Sequence, residues 1–243
     1  MKLSDVAALL FKHRVAFLLV WVLCWVGCDQ ATKVWAQGAL AEERTVVRPK
    51  EVLSPDGTST RVDESVTQFF AKRSIRVHEN GWFGLGFKYA ENRAAAFSLT
   101  ESIPEGARRP ILLLVSIGAC ALITVWYLRL KVADGLLMLS FALIIGGALG
   151  NFLDRLRLSY VIDFLDMYAT APGAVAWLRA PHSFLGIGLR MSEHWPTYNV
   201  ADIGIVSGAI GVLLRTFKPL PDSSTGAAVE ADAPTATPAK EAA

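Results

Sequence analysis

The chain has 243 residues, of which 53% are hydrophobic and only 19% charged, with a mean hydropathy of +0.38. Soluble domains carry roughly 25% charged residues, so this composition points toward lipid. The net charge of +2, without a basic stripe interleaved with aromatics, excludes nucleic acid as a partner, and the cysteines (Cys24, Cys28, Cys120) sit inside apolar runs as expected packing residues rather than a disulfide or zinc framework.

Along the chain, the first uncharged run is 15–28, directly after Lys12-His13-Arg14. It needs residues 29–35 to reach a spanning length, because a hydrocarbon core of about 30 Å takes roughly 20 residues at about 1.5 Å each. Residues 41–68 are charged and irregular, with no pattern that assigns them to an element. Ser74-Ile75-Arg76-Val77 alternates, Asn80-Gly81 is a type I′ turn pair, and 82–89 is aromatic and glycine-spaced, which predicts a β-hairpin. The run 111–128 is long enough to span by itself. The runs 135–150 and 203–214 are shorter, and each needs a neighbouring polar turn, 151–155 and 198–202 respectively. Gly146-x-x-x-Gly150 and Gly204-x-x-x-Gly208 are spacings that let helices approach closely. From Pro219 the chain is rich in Ala, Pro, Thr and Glu and is expected to be a disordered cytoplasmic tail, 219–243.

The expected fold is therefore an all-α membrane protein: four transmembrane helices with a small extracytoplasmic β-structure. Residues 1–218 form one membrane domain, with extracytoplasmic segments 36–109 and 156–197. With four spans, the end of the first, the end of the third and the start of the fourth share one face. Lys2, Lys12 and Arg14, then Arg129 and Lys131, then Arg215 and Lys218 flank the other face in short segments, which places both termini in the cytoplasm.

Three polar clusters fall on the shared outer face. Asp29 and Lys33 are an acid–base pair at i, i+4. Asn151, Asp154 and Arg155 lie on one helical face, followed by Asp163. Asn199 and Asp202 open the last span. Ionisable groups near hydrocarbon are costly and point to function; the bland alternative is capping and interfacial ion pairing. Asp154 is expected to pair with its neighbour Arg155, and Asp166 to be solvated at the interface. His13, His78, His182 and His194 have no serine or cysteine nucleophile beside them, and the tryptophans are expected to be interfacial anchors.

Asp29-Gln30-x-x-Lys33, Asn92-x-x-Ala95-Ala96-Phe97, Gly150-Asn151-x-x-Asp154-Arg155 with Val161-Ile162-Asp163-Phe164, and Asn199-Val200-Ala201-Asp202 occur in this order. Together they resemble the successive motifs of the lipoprotein signal peptidases, also called signal peptidase II, over residues 15 to 217. The resemblance implies an aspartic peptidase of bacterial cytoplasmic membranes that needs no cofactor or metal. Such an enzyme cuts prolipoproteins just before a diacylglyceryl-modified cysteine, at a site facing outward. It implies Asp163 and Asp202 as the catalytic pair, with Asp29, Lys33, Asn92, Asn151, Arg155 and Asn199 supporting the site or the substrate. Prolipoprotein substrates and membrane lipid are the expected partners, and a monomer is the expected state. Three features depart from the family pattern: Ala94 stands where glycine is frequent, extra residues lie around 41–80 and 167–195, and the polar tail is an addition.

Two carboxyls suffice for peptide hydrolysis, since like charges at close range raise one apparent pKa and let the pair share a proton. Which of Asp163 and Asp202 starts protonated is open at this stage, because the pair titrates as a unit. Three rival readings use the same features. Cys24-Trp25-Val26-Gly27-Cys28 faintly resembles a lipobox, which would make the chain a substrate, although Trp25 fits poorly there. A transporter would use Asp163, Asp202 and Lys33 as a relay, and an inactive scaffold would retain them without turnover.

Overall fold

The computed structural model describes residues 3–53, 59–93, 105–131, 134–180, 182–184, 187–189 and 192–217. The expected tail, 219–243, and Ala94 to Phe97 of the second motif lie outside the described residues. Six helices and seven strands follow in the order α1 (Leu3–Lys12), α2 (Arg14–Leu40), β1 (Ala41–Leu53), β2 (Ser59–Ala71), β3 (Ser74–Glu79), β4 (Phe83–Asn92), α3 (Glu105–Leu128), α4 (Gly135–Leu158), β5 (Val161–Ala169), α5 (Pro172–Arg179), β6 (His182–Phe184), β7 (Ile187–Leu189) and α6 (Val200–Thr216).

Three helical stretches, Arg14–Leu40, Arg109–Leu128 and Gly135–Leu158, are long and apolar enough to cross a membrane. Their outer faces carry the expected apolar surface: Leu23, Leu114, Val115 and Ile117 are all exposed. Cys24 and Cys28 are exposed on α2 as well, so they face outward rather than filling the core. The packing between helices is made by small residues. A Cβ on Gly147 would run into the Ala201 carbonyl oxygen, and one on Gly208 would meet the Ser140 carbonyl at 2.5 Å. Both glycine pairs read from the sequence, Gly146/Gly150 and Gly204/Gly208, therefore lie in close approaches, with Gly146 and Gly204 seated on Trp25 and Gly150 on Asp29. Leu18, Val22, Tyr127, Met138, Phe141, Ala142 and Ile145 form the core between α2, α3 and α4.

The β-structure is larger than a small accessory. β1 and β2 pair antiparallel over thirteen residues each, from Ala41 opposite Ala71 to Leu53 opposite Ser59. This is the stretch whose charges had hidden any pattern. The continuous antiparallel register makes this stretch a ribbon and not a loop. The predicted hairpin is present as β3 and β4, joined on the far edge of β4 by β5 in the order β3-β4-β5. Its turn differs from the expected type. A type I′ turn requires positive φ at Asn80, whereas among the described non-glycine residues only Ser159 has it. Instead Asn80 Oδ1 accepts from the backbone N–H of Trp82 at 2.8 Å and of Phe83 at 2.9 Å, a side-chain-built turn. A second core, with Ala36, Leu40, Tyr89, Tyr160, Ile162 and Phe164, welds the sheet to the end of α2.

Candidate active site

Asp163 lies on β5 and is 2% exposed. Its neighbours Ile162 and Phe164 point into the core beneath the sheet, and strand alternation turns Asp163 the other way, toward the ends of the helices. Asn199 Nδ2 donates to Asp163 Oδ1 at 2.7 Å, and Asn92 Nδ2 at the end of β4 donates to Oδ2 at 3.0 Å. Burial pushes the Asp163 carboxyl up to about 7, and the charge of Asp202 pushes the same way; the amides of Asn92 and Asn199 and the charge of Lys33 oppose it.

Asp202 enters from the first turn of α6. Asn199 is the N-cap of that helix: its Oδ1 accepts from the Asp202 N–H at 3.0 Å, and Asp202 Oδ2 accepts from the Asn199 N–H at 3.2 Å. This reciprocal box fixes the Asp202 side chain in the first turn of the helix. Asn151 Nδ2 donates to Asp202 Oδ1 at 2.8 Å, and the Asn151 oxygen accepts from Asn199 Nδ2 at 3.2 Å. The two carboxylates are thus joined through Asn199 directly and through Asn151 on α4.

Behind this pair sits a buried cation. Lys33 Nζ contacts Asp29 Oδ2, Asp154 Oδ2 and Asn151 Oδ1, each at 2.9 Å, so its three donors meet three acceptors. Asp29 Oδ1 accepts from the Ala201 N–H at 2.9 Å, tying α2 to the start of α6. Asp154 Oδ2 also accepts from the Ile162 N–H at 3.2 Å, which anchors the start of β5 to α4.

The sequence-predicted residues Asp29, Lys33, Asn92, Asn151, Asp163, Asn199 and Asp202 are therefore one connected network. Arg155 sits beside it, half-buried. Its hydrogen bond among the described residues is to the Asn151 carbonyl at 3.4 Å, while Asp202, Asp163 and Asp154 attract it electrostatically. The expected Asp154–Arg155 ion pair does not form. Adjacent helical residues point about 100° apart, and Asp154 turns inward to Lys33. Gln30 was not singled out, yet its Nε2 reaches Asp154 Oδ1 at 2.9 Å and the Gly150 carbonyl at 3.2 Å; its place beside Asp29 in the first motif was the available signal. Asp166 is buried rather than solvated. It bonds Lys88 at 3.1 Å and His194 Nδ1 at 3.0 Å, on the face of β5 opposite to Asp163.

With this geometry in view, comparison with known proteins becomes specific. The signal peptidase (SPase) II family, peptidase A8, matches residues 21–218, a stretch that takes in every member of the network. The chain belongs to the signal peptidase II family. Curated relatives named lipoprotein signal peptidase include one from Anaeromyxobacter sp., 35% identical over 144 residues, which are 59% of this chain and 60% of the relative. Another, from Shewanella amazonensis, is 34% identical over 54% of this chain and 66% of its own length. The matches thus span less than two thirds of these relatives. Two solved structures described as a bacterial membrane enzyme share the fold, with TM-scores of 0.52 and 0.51 over 85% of this chain and 96% of theirs, at 15% and 17% identity.

Proposed function

We propose that the chain is a membrane aspartic endopeptidase that removes signal peptides from diacylglyceryl-modified prolipoproteins, cutting before the lipidated cysteine. The observation that carries this reading is the buried Asp163 held by Asn199, the same asparagine that caps Asp202. Two carboxyls in unlike environments, coupled through one amide, are suited to sharing a proton. The helix-capped Asp202 is the base, and the buried Asp163, raised to about 7, is the neutral acid.

Asp202 takes a proton from water as the water oxygen bonds to the scissile carbonyl carbon, while Asp163 gives its proton to the carbonyl oxygen. Collapse of the resulting diol breaks the C–N bond. The proton on Asp202 passes to the departing amine, and Asp163 recovers one from the hydroxyl that becomes the carbonyl. Asn92, Asn151 and Asn199 hold the carboxyls, Lys33 with Asp29 and Asp154 braces the helices beneath them, and Arg155 faces the developing charge or a lipid phosphate.

In this reading α6 is a fourth span. Its seventeen residues are at the short end of what crosses a bilayer, and the crossing is completed by the wet end where the carboxylates lie. Both termini are cytoplasmic, the site faces outward from a bacterial cytoplasmic membrane, the signal helix lies among the spans, and the enzyme acts as a monomer. The gate is the segment around Asn92 or the 167–195 stretch. The test is cleavage of a diacylglyceryl-modified prolipoprotein by the purified protein in detergent beside the Asp163→Asn variant. Cleavage before the lipidated cysteine, lost in the variant, supports the reading; a folded wild-type chain that leaves this substrate intact overturns it.

A further inference from the structure

A cleft of about 290 Å³ opens between the last residues of β2 and the last residues of β4, with Phe69, Phe70 and Ala71 on one wall and Tyr89, Ala90 and Glu91 on the other. Both walls are strand edges. Among the described strands β2 is hydrogen-bonded to β1 alone, and its other edge faces the end of β4 without pairing with it. β3 stops pairing with β4 at Lys88, whereas β4 continues against β5 as far as Asn92. From Tyr89 onward the β3-side edge of β4 therefore also pairs with no strand among the described residues.

The cleft and the candidate active site flank the same end of β4, on its two sides. Ala90 stands opposite Asp163 in the β4–β5 register, and Asn92, the residue after Glu91, donates to Asp163. The cleft also lies on one side of the molecule only. Both walls belong to the connection between α2 and α3, beyond the apolar stretches that can cross a membrane.

We infer that this cleft receives the polypeptide just C-terminal to the scissile bond, laid as an extended strand along the free edge of β4 with the foot of the β1–β2 ribbon as its far wall. The inference rests on the peptidase reading above. The signal helix is held among the spans, so a chain leaving Asp163 toward water is the retained, mature part of the substrate. A scissile bond must be extended to be attacked, and an exposed strand edge binds an extended chain through alternate main-chain groups. From Tyr89 to Asn92 the edge is about 13 Å long at roughly 3.3 Å per residue, room for about four substrate residues. The subsite is therefore directed at main chain and tolerant of side chain, as a processing enzyme with many substrates requires.

The test uses the full chain in detergent and diacylglyceryl-modified substrates with one common signal segment. One substrate carries six residues after the lipidated cysteine; the other ends in an amide directly after it. A second series N-methylates single backbone amides in the longer substrate. The short substrate is expected to show a KM about tenfold higher with kcat nearly unchanged, the signature of lost uniform binding. Alternate N-methyl groups are expected to raise KM about threefold to tenfold, with the intervening positions neutral. A photo-crosslinker on the third mature residue should mark residues 68–71. Equal KM for the two substrates, N-methyl groups without a period of two, or crosslinks only to a second copy of the chain would overturn the inference and leave the peptidase reading standing. Failure to cleave either substrate would overturn both.

Discussion

Asn199 donates to Asp163 Oδ1 at 2.7 Å from the same side chain that caps the Asp202 N–H at 3.0 Å. One amide thus sets the position of both carboxyls, on two elements separated by the whole of the 167–195 stretch. Asn199→Ala is expected to lose the cap, at a cost of about 1 kcal/mol, and to remove the side-chain donor to the Ile162 carbonyl and to Asp163 Oδ1, at about 1–3 kcal/mol more. Asn199→Asp keeps a capping oxygen but sets a third carboxylate beside Asp163. Thermal unfolding should therefore separate the variants, with Asp less destabilised than Ala at low pH, while both lose turnover.

Lys33 is buried between Asp29 and Asp154. Lys33→Met strips both carboxylates of their cation, and removing one partner of a buried pair costs about 3–5 kcal/mol. The combination with Asp29→Asn and Asp154→Asn should recover part of that loss. If the single variant unfolds at the wild-type temperature, the brace is not structural.

The pH dependence of stability has a sign that can be worked out for Asp163. Its carboxyl titrates at about 7 in the folded chain, against an ordinary value of 3.8, so the native state holds an extra proton between those values. That contribution favours the native state at low pH and is lost as pH rises from about 4 to 7. Asp163→Asn removes the cost of burying the charge. It is expected to stabilise the protein at pH 8 by up to about 4 kcal/mol, from a shift near three pH units, with the gain vanishing near pH 4. Unfolding temperatures of both forms across this range check it. Turnover of the wild-type chain should fall above about pH 7 as Asp163 ionises.

The α4–α6 seam predicts a contrast among glycines. Gly147→Ala would press a methyl into the Ala201 carbonyl, a backbone atom that cannot yield cheaply, and Gly150→Ala would press on Asp29. Overpacking of this kind costs about 1–3 kcal/mol. Gly118→Ala on α3 meets nothing within 4 Å and should be neutral or mildly stabilising.

Asp166 offers the control for the catalytic pair. It is buried and hydrogen-bonded to Lys88 and His194, on the face of β5 away from Asp163. Asp166→Asn should retain most turnover, whereas Asp202→Asn should abolish it; comparable losses in the two would remove the basis for preferring Asp202.

Much of this protein is legible in its residues because the bilayer imposes a strict condition. Apolar runs must be helices, since no other single-segment structure satisfies its own backbone in lipid. The polar residues at 29–33, 151–155 and 199–202 had to lie where those runs end. The glycine spacings gave the close approaches, since only a missing Cβ lets α6 reach Gly147. The partners were not legible. Asp154 could turn to Arg155 or to Lys33, and the choice was made by α2 bringing a lysine into a site where each carboxylate needed a cation. The ribbon of β1 and β2 was hidden because its partners lie far apart in sequence, in a register that exists only once Ala41 stands opposite Ala71. Sequence spacing set which groups lie at one membrane face; tertiary packing decided which of them touch, because burial penalises every charge that fails to find its partner.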